Sequence, residues 1–397
     1  MDFTFTQQDE AFRQEVRGFI DREVRPHYED PPLNGAHEYE EWLIDLNKRL
    51  AKKLGARGWL GLGWPEEYGG RPATWAQQLI FKEEIGYYDN WGVNRQGINM
   101  AGPTILHNGT HEQKKRFLVP MTRGDAWWCQ GYSEPGAGSD LAGLQTRADL
   151  EGDVFRINGQ KIWTSNAMFS DWIFFLVRSD PNLPRHRGIS LLAGDLHSPG
   201  VTRRPITQMH GASDDFTEIF FDDMRVPKDN LIGGLNQGWY VAMNQLSGER
   251  SQIEFVSALK RRIDDLARFI EESGVAHDGS GAAVRQRFAD LYVEWTVTRL
   301  MNYRVAWMAA SGQNTGAAAS QCKAMVGPLS HRVSQTAMRI LGMHGQLGEY
   351  GERVPRAPLQ GRLMTFYLRA VARTFNAGTH EVQLNIIATR GLGLPAG

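Results

Sequence analysis

Apolar residues recur every three or four positions through the first third of the chain, which is the spacing of one face of an α-helix. Two such faces are Phe12, Val16, Phe19 and Ile20, and Trp42, Leu46, Leu50 and Leu54. The second helix is expected to end in the segment 55–58, which contains two glycines. Thr110 is expected to cap a further helix that runs through Phe117. The pattern predicts an N-terminal α-helical domain over residues 1–121.

The pattern changes to short runs of β-branched and aromatic residues between about residues 122 and 237. These runs lie between Gly, Pro and Asp residues, as strands do between turns; they cover residues 154–157, 161–164, 172–177, 189–192 and 217–221. Asn158-Gly159 separates the first two runs and is typical of a tight β-hairpin turn. The segment 122–237 is therefore predicted to be a small β-barrel or β-sandwich domain rather than a series of βαβ repeats.

Helical spacing returns from Gly238 and continues nearly to the end of the chain. Three sets of residues recur at this spacing, apolar except for Asn302: Ile253, Val256, Leu259, Ile263, Leu266 and Ile270; Phe288, Leu291, Trp295, Asn302 and Val305; and Met325, Leu329, Val333, Ala337 and Leu341. Long helices of this kind are typical of a bundle. We therefore predict a C-terminal four-helix bundle domain over residues 238–397 and, for the whole chain, an α+β fold of three domains.

The charge balance argues against two classes of partner. The 397 residues include 44 Lys and Arg against 45 Asp and Glu, for a net charge of -1. This balance gives no electrostatic basis for binding nucleic acid or an anionic membrane. The basic run at residues 114–116 is short and is expected to be a solvated helix face. With 41% hydrophobic and 22% charged residues, the composition is that of a globular protein and excludes global disorder.

The cysteines and histidines indicate neither a disulfide framework nor a metal site. The two cysteines are Cys129 and Cys322. His107 and His111 are four residues apart, but Asn108-Gly109-Thr110 between them is a poor helix, so no metal ligand set is expected. The N-terminus lacks the order of a signal peptide, and no apolar stretch approaches the roughly 20 residues of a membrane span. A cytoplasmic location is the expectation.

One glycine- and serine-rich segment stands out at residues 130–143, Gln-Gly-Tyr-Ser-Glu-Pro-Gly-Ala-Gly-Ser-Asp-Leu-Ala-Gly. Its glycines would let the backbone approach a ligand closely, and Ser133 and Ser139 add hydroxyl groups. The glycine spacing does not match a Rossmann dinucleotide loop, and the chain has no Gly-x-Ser-x-Gly or Walker sequence. By itself such a segment is more often a turn than a cofactor-binding loop.

Further segments accompany this loop and give it a context. They are Trp-Pro-Glu-Glu-Tyr-Gly-Gly at 64–70, Lys-Ile-Trp-Thr-Ser-Asn at 161–166, Arg-Val-Pro at 225–227, and Asn-Ala-Gly-Thr-His-Glu-Val-Gln at 376–383 followed by Asn-Ile-Ile. In this order and at these separations the segments resemble the acyl-CoA dehydrogenase family of flavoenzymes. The resemblance covers essentially the whole chain.

The resemblance implies an FAD cofactor held between the β-domain and the C-terminal helices. It assigns cofactor contacts as follows: Gln130, Tyr132 and Ser133 at the flavin ring, Gly138 and Ser139 in the phosphate-binding loop, Trp163 on the isoalloxazine, Ser165 where the family's Thr contacts N5, and Thr379 and Glu381 at the ADP half. Ser139 could also contact the phosphates of CoA. A core aromatic at a strand end is the alternative interpretation of Trp163.

Two motifs differ from the family pattern on the ADP side of the cofactor. The family's Arg-x-x-Phe-Gly segment is not evident around residues 278–289. The usual Gln-x-x-Gly-Gly-x-Gly is replaced by Arg-Ile-Leu-Gly-Met-His-Gly at 339–345. The sequence therefore does not assign the remaining contacts to the ADP half of FAD.

The catalytic base also differs from the commoner family arrangement. Many members carry a glutamate immediately before the Gly-Thr of the C-terminal loop, where this chain has Ala377. A minority of the isovaleryl-CoA dehydrogenase type place it before an arginine on the first long C-terminal helix, and Glu249-Arg250 matches that position. Glu249 precedes Ile253 by four residues, which would direct it toward the buried face and raise its pKa. The alternative is a glutamate stabilised by a helix N-terminus; Ala377 favours the base.

The resemblance implies oxidation of an acyl-CoA to the 2,3-enoyl-CoA, with Glu249 removing the α-proton and the β-hydrogen leaving as hydride to flavin N5. The thioester carbonyl would be polarised by a ribityl hydroxyl and by the backbone N–H of Ala377. Arg250 and Gly378 are expected to line the substrate site with Ala377 and Ser139. The small Ala377 side chain predicts a preference for branched, bulky or ring-bearing acyl groups.

The resemblance also implies partners, and it leaves alternatives open. Electrons would pass to an electron-transfer flavoprotein, and the assembly would be a homotetramer built as a dimer of dimers, or a heterotetramer. An acyl-CoA oxidase and an elimination without net oxidation are alternatives on the same scaffold. A non-catalytic subunit of a heteromeric dehydrogenase is a further alternative, because the ADP-side motifs are altered.

Overall fold

The computed structural model describes residues 3–29, 36–211, 216–247, 252–275, 281–348 and 357–395. The first helices are α1 (Gln7–Glu23), α2 (Arg25–Glu29), α3 (Ala36–Gly55), α4 (Trp75–Gly86), α5 (Gly102–Asn108) and α6 (His111–Thr122). The strands follow as β1 (Trp128–Gly131), β2 (Arg147–Glu151), β3 (Val154–Ser165), β4 (Trp172–Arg178), β5 (Ile189–Asp195), β6 (Val201–Pro205), β7 (Phe216–Pro227) and β8 (Leu231–Ile232). The last helices are α7 (Gly238–Ser247), α8 (Ile253–Ser273), α9 (Gly281–Ala310), α10 (Gly316–Leu341), α11 (Arg362–Ala370) and α12 (His380–Ile386). This order of helices, strands and helices confirms the α+β fold class.

Two compact units share these elements. One unit comprises residues 1–42, 73–91 and 248–397, and the other comprises residues 43–72 and 92–247. All eight strands described above belong to the second unit, which we call the sheet unit; we call the first the bundle unit. The domain limits at residues 121 and 237 remain a sequence prediction.

The predicted cap of α6 is present, but the helix is longer than predicted. The hydroxyl of Thr110 accepts a hydrogen bond from the backbone N–H of Gln113, whose side chain accepts one from the Thr110 N–H. The helix continues beyond Phe117 to Thr122 and includes Pro120. Leu118, Met121 and Thr122 are buried, so packing of the last turn outweighs the hydrogen bond that proline removes.

The strands form one sheet in the order β6-β7-β3-β2-β4-β5-β8, with β1 paired to β4. The pairs β2–β3, β3–β7, β6–β7 and β4–β5 are antiparallel, whereas β1–β4 and β2–β4 are parallel. One face of the sheet buries Phe155, Ile157, Phe175, Ile219 and Phe221 in a common core. The parallel pairing of β1 with β4 brings the segment that follows β1 next to the central strands.

The hairpin turn predicted at Asn158-Gly159 is wrong. Both residues lie inside the continuous strand β3, and the turn between β2 and β3 is at residues 152–153. Gly159 instead forms part of a β-bulge, since the β3–β7 register shifts between Ile157 and Gly159. Gly159 has φ +146°, and a Cβ there would lie 2.7 Å from the Cα of Thr146. The glycine is required by this close approach of two backbones rather than by a turn.

The three long apolar stripes predicted near the C-terminus form the core of the helical bundle. α8, α9 and α10 bury Val256, Leu259, Ile263, Leu291, Trp295, Val326, Leu329 and Val333 together. α11 joins them through Leu363, which packs with Leu266, Ala337 and Leu341. α9 has 30 residues and α10 has 26, yet every helix within the described ranges falls short of the apolar length that a membrane crossing requires.

Candidate active site

The glycine- and serine-rich loop leaves the sheet at a tightly packed point. Gly131 at the end of β1 pairs with Phe175 of β4, and a Cβ on Gly131 would lie 2.6 Å from Cδ1 of Ile173. Glycine is therefore the residue that lets the backbone enter here. The ring of Tyr132 packs edge-on against Phe174 at a centroid distance of 5.6 Å, and burial raises the pKa of its hydroxyl. These contacts fix the direction in which the loop departs.

The exposed part of the loop is held by a short turn. The backbones of Glu134 and Ala137 exchange two hydrogen bonds of 2.9 and 3.0 Å. Gly136 and Gly138 project into open space, since a Cβ on either would have no atom within 4 Å. Ser139 is exposed beside them. The loop therefore offers backbone and a hydroxyl group that a ligand could approach without steric obstruction.

A buried ion pair holds the same loop against strand β3. Nζ of Lys161 on β3 lies 2.7 Å from Oε1 of Glu134, and it also donates to the carbonyl of Tyr132 at 3.3 Å. The Lys161 side chain is fully buried. Oxygens of Glu134 also accept hydrogen bonds from the backbone N–H groups of Gln145 and Thr146, at 2.6 and 2.9 Å. Three segments of chain, residues 132–134, residues 145–146 and strand β3, thus meet at one carboxylate.

The electrostatics of this pair keep both groups charged near neutral pH. Burial by itself would raise the pKa of Glu134, but the Lys161 ammonium and the hydrogen bonds to Thr146 and Gln145 outweigh it and lower that pKa. Burial lowers the pKa of Lys161 to about 8, and the charge of Glu134 opposes the fall. The pair is therefore an internal ionic clamp between the loop and β3.

A second β-bulge in β3 presents Trp163 to the surface. The β3–β7 register shifts between Lys161 and Thr164, and Trp163 adopts φ +60°. Its indole is 56% exposed and meets Phe216 edge-on at 6.0 Å. The backbone N–H of Ile162 donates to the carbonyl of Ser133 at 3.0 Å, which joins the bulge to the loop. A left-handed conformation at a bulky residue is rare and marks functional sites more often than ordinary strands.

Polar groups near the bulge are available for a ligand. The side-chain nitrogen of Gln130 is buried and has no hydrogen-bond partner among the described residues, and the same is true of the Thr164 hydroxyl. Ser165 is half-buried at the end of β3, and Ser133 is half-buried on the loop. An exposed indole, half-buried serine hydroxyls and an open glycine loop fit a flat heteroaromatic cofactor with phosphate groups, as FAD is.

The C-terminal loop belongs to the bundle unit and has its own geometry. Ala377 and Gly378 both have positive φ, +51° and +88°. A Cβ on Gly378 would lie 2.5 Å from Nε2 of Gln383, which donates to the Gly378 carbonyl at 3.4 Å. Ala377 is exposed, and in the described part of the chain its N–H has no hydrogen-bond acceptor. The tip of this loop therefore presents a free backbone donor.

The segment after this tip begins α12. The hydroxyl of Thr379 accepts a hydrogen bond from the N–H of Val382 at 3.3 Å and caps the helix. Glu381 is exposed in the first turn, where hydrogen bonds from its own N–H and from the Thr379 side chain lower its pKa. An acidic side chain at this end of a helix is favourable.

The structure gathers some of the sequence-predicted site residues and does not address others. Gln130, Tyr132, Ser133, Gly138, Ser139, Trp163 and Ser165 all lie on the loop and on β3 in the sheet unit. Ala377, Gly378, Thr379 and Glu381 lie together in the bundle unit. Glu249 and Arg250 lie outside the described residues, which resume at Gln252, the N-cap of α8. Where the chain is described, no group of His, Cys, Asp or Glu side chains could hold a metal ion.

Two positioning elements were not recognised from the sequence. Glu134 lies in the loop segment 130–143, and Lys161 begins the segment 161–166. Lys161 also follows Phe155 and Ile157, which are buried in the same strand, so a buried lysine with an acidic partner could have been expected there. Lys323 on α10 contacts the C-terminal loop, and its sequence position beside an apolar stripe offered only a weak signal. In each case the partner is distant in the sequence.

Helices before and after a sheet, with a glycine-rich loop clamped to an exposed tryptophan, form the arrangement expected of a flavin-dependent dehydrogenase. Profiles described as the N-terminal, middle and C-terminal domains of acyl-CoA dehydrogenase match residues 6–125, 129–224 and 236–392. The chain is 36% identical over 393 residues to the acyl-CoA dehydrogenase IpdE1 of Mycobacterium tuberculosis, which covers 97% of this chain and 98% of that protein. The chain therefore belongs to the acyl-CoA dehydrogenase family.

Solved structures agree with this assignment. A structure titled Tcur3481-Tcur3483 steroid ACAD is 31% identical, with a TM-score of 0.87 and full coverage of both chains. The ChsE4-ChsE5 complex from Mycobacterium tuberculosis is 32% identical, with a TM-score of 0.86 and full coverage of both chains. As a member of this family, the protein is an FAD-dependent oxidoreductase that acts on acyl-CoA thioesters.

Proposed function

We propose that the protein converts an acyl-CoA to the 2,3-enoyl-CoA, with Glu249 as the base that removes the α-proton. When bound, FAD supplies the acceptor for the hydride that leaves Cβ. Glu249 and Arg250 stand in the sequence where the isovaleryl-CoA dehydrogenase type carries its base and the following arginine. In this proposal Arg250 and Gly378 line the substrate site.

One observation carries the proposal, and it concerns Ala377. Its methyl side chain cannot accept a proton, so a base at this loop position is excluded. Its N–H, in contrast, belongs to an exposed residue, is unpaired among the described residues, and can donate to the thioester carbonyl as enolate character develops. The loop has thus kept the donor and lacks the carboxylate, which supports a base elsewhere in the chain.

The other site residues have binding roles in this proposal. When FAD is bound, Gln130, Tyr132 and Ser133 would contact the flavin ring, Trp163 would pack beside it, and Ser165 would lie near N5. Gly138 and Ser139 approach phosphate groups of the cofactor or of CoA, and Thr379 and Glu381 contact an ADP moiety. Residues 1–121, 122–237 and 238–397 are the three domains of this scheme.

The substrate is proposed to carry a bulky or ring-bearing acyl group. Ala377 leaves space where a glutamate would otherwise project, and a similar structure is titled a steroid ACAD. Values of kcat/KM for butyryl-, octanoyl-, isovaleryl- and a ring-bearing acyl-CoA, measured with a dye acceptor, test this choice. The ring-bearing substrate is expected to lead; a tenfold advantage for butyryl-CoA would mean that other side chains fill the space.

The reaction type has its own test, because an oxidase or a simple elimination could use the same fold. Oxygen consumption during turnover separates an oxidase from a dehydrogenase that passes electrons to an electron-transfer flavoprotein. The product mass decides whether two hydrogens are lost. We expect a product two mass units below the substrate and negligible oxygen uptake.

The proposal also includes a cytoplasmic location for the enzyme.

A heteromeric assembly is a second candidate, favoured by two observations. The two similar structures carry paired names, Tcur3481-Tcur3483 and ChsE4-ChsE5. This chain also departs from the family motif at residues 339–345. If it works alone, as a homotetramer, the purified chain will be yellow and active; if it needs a partner subunit, flavin and activity will appear only on co-purification with a second acyl-CoA dehydrogenase chain.

A further inference from the structure

Lys323 connects α10 to the loop that carries Ala377. Its ammonium nitrogen donates to the carbonyl of Arg373 at 2.9 Å and to the side-chain oxygen of Asn376 at 3.0 Å. Asn376 immediately precedes Ala377. Both acceptors are neutral, so the charged ammonium of Lys323 is hydrogen-bonded to a backbone carbonyl and a side-chain amide of this loop.

The helix and the loop also pack closely beside this contact. Gly327 lies four residues after Lys323, on the same face of α10. A Cβ on Gly327 would lie 3.0 Å from the Arg373 carbonyl oxygen and 3.3 Å from Cα of Thr374. Because Gly327 has no side chain, the loop backbone can approach α10 closely enough for Lys323 to reach it.

The loop conformation needs such support. Ala377 has φ +51°, which an L-residue adopts only when its surroundings hold it there. Before it, the N–H groups of Phe375 and Asn376 both donate to the carbonyl of Ala372, at 3.2 and 2.9 Å. After it, Gln383 contacts Gly378. Lys323 supplies the contact that ties the preceding limb of the loop to the rigid helix.

We propose that Lys323 is a positioning residue, which holds residues 373–376 against α10 and thereby fixes the direction of the Ala377 N–H. The inference rests on the proposed role of that N–H at the thioester carbonyl. Lys323 itself acts through Asn376 and the loop backbone and does not touch the substrate.

The environment of Lys323 agrees with a dedicated role. Burial and, to a smaller extent, the nearby Arg373 charge together lower its pKa to about 8. Among the described residues this ammonium has no carboxylate partner. A partly desolvated charge of this kind is unfavourable for the fold, and an apolar residue of the same length would avoid the penalty. The position therefore carries a charged group that packing alone does not require.

The first test measures the loop itself in the FAD-loaded protein without substrate. Lys323→Met keeps the length of the side chain and removes the ammonium, so we expect exchange of the Phe375 and Asn376 amides, which both donate to the Ala372 carbonyl, to become roughly tenfold faster. Arg332→Met is the matched control, because Arg332 is on the same helix and loses only an exposed ion pair with Glu294. Asn376→Ala keeps the ammonium and removes one acceptor, and should accelerate exchange by a smaller factor. Unchanged exchange in Lys323→Met and Asn376→Ala would overturn the inference.

The second test asks whether the donor is still aimed at the carbonyl. Acetyl-CoA, a thioester that has no Cβ and cannot reduce the flavin, and the matching S-ethyl-CoA thioether, which lacks the carbonyl oxygen, are titrated against each protein by flavin absorbance. We expect Lys323→Met to weaken thioester binding roughly tenfold and to leave thioether binding unchanged, with partial recovery in Lys323→Arg. Equal weakening of both ligands would indicate general damage and contradict a positioning role. A wild-type protein that does not prefer the thioester would refute the proposed role of Ala377 itself, so the two failures are distinguishable.

Discussion

The ammonium of Lys161 lies 2.7 Å from the carboxylate of Glu134 with neither side chain open to solvent, 27 residues apart in the chain. The pair joins the segment that carries Ser133 to the strand that carries Trp163. Because β3 also donates from Ile162 to Ser133, the loop and the bulge behave as one preorganised surface. Rigid support of this kind is what a cofactor site requires.

Replacement of Lys161 should damage the sheet unit severely. Lys161→Met leaves Glu134 buried without its ionic partner, and we expect a loss of roughly 3–5 kcal/mol in the free energy of unfolding. Lys52→Met is the control in the same unit, since the Lys52–Asp125 pair is exposed and should contribute under about 1 kcal/mol. Urea unfolding followed by tryptophan fluorescence measures both. Similar losses for the two variants would show that the clamp is not needed.

The Lys161–Glu134 pair also predicts that part of the free energy of unfolding is lost in acid. The folded-state pKa of Glu134 is lowered, so its contribution is fully present above the unfolded-state pKa of about 4.3 and is lost as pH falls through the folded-state pKa. The stability difference between wild type and Glu134→Gln should therefore shrink as the pH decreases below about 4.5. Urea midpoints from pH 6 downward test this. A difference that stays constant with pH would contradict the charged state assigned to Glu134.

The two glycines of the β2–β3 region should respond differently to alanine. Gly159→Ala places a Cβ against the Thr146 backbone at a positive φ, and we expect a loss of about 2 kcal/mol or more. Gly152 also has positive φ but is surrounded by open space, so Gly152→Ala should lose only about 1 kcal/mol. Thermal unfolding of both variants measures the contrast. Equal losses would argue that the close approach at Gly159 is unimportant.

These glycines also show where sequence reasoning succeeds and fails. Periodicity identified α8 and α10 because Val256, Leu259 and Leu329 recur on one buried face, which is a local property. Asn158-Gly159 looks like a turn because the dipeptide favours one, yet pairing with β7 and contact with Thr146 decide its conformation. Those are tertiary contacts, and no local pattern contains them.

The candidate site divides in the same way. Motifs located Trp163 and the loop at 130–143, because a cofactor constrains short stretches of sequence. They did not indicate that Trp163 is in a left-handed bulge or that Lys161 clamps Glu134, since both depend on strand register. The support of Ala377 by Lys323 likewise joins residues more than fifty positions apart.

Trp163 should matter more for the cofactor than for the fold. Its side chain is more than half exposed, so Trp163→Ala should change stability by less than about 1 kcal/mol. Loss of the aromatic face should raise the FAD dissociation constant at least about tenfold. Leu150→Ala is the control, being an exposed apolar residue on β2. A variant that loses stability and keeps its FAD affinity would instead identify Trp163 as a structural aromatic at a strand end.

The central claim is that Glu249 removes the α-proton, and anaerobic flavin reduction by an acyl-CoA tests it most directly. Glu249→Gln should bind FAD and acyl-CoA normally yet reduce the flavin at least about 10²-fold more slowly, the scale expected for loss of a general base. Glu254→Gln is the matched control, because Glu254 is a buried glutamate on α8 with no assigned role in the chemistry. The account predicts slow reduction in the first variant and near wild-type reduction in the second. Near-normal reduction by Glu249→Gln would contradict the account.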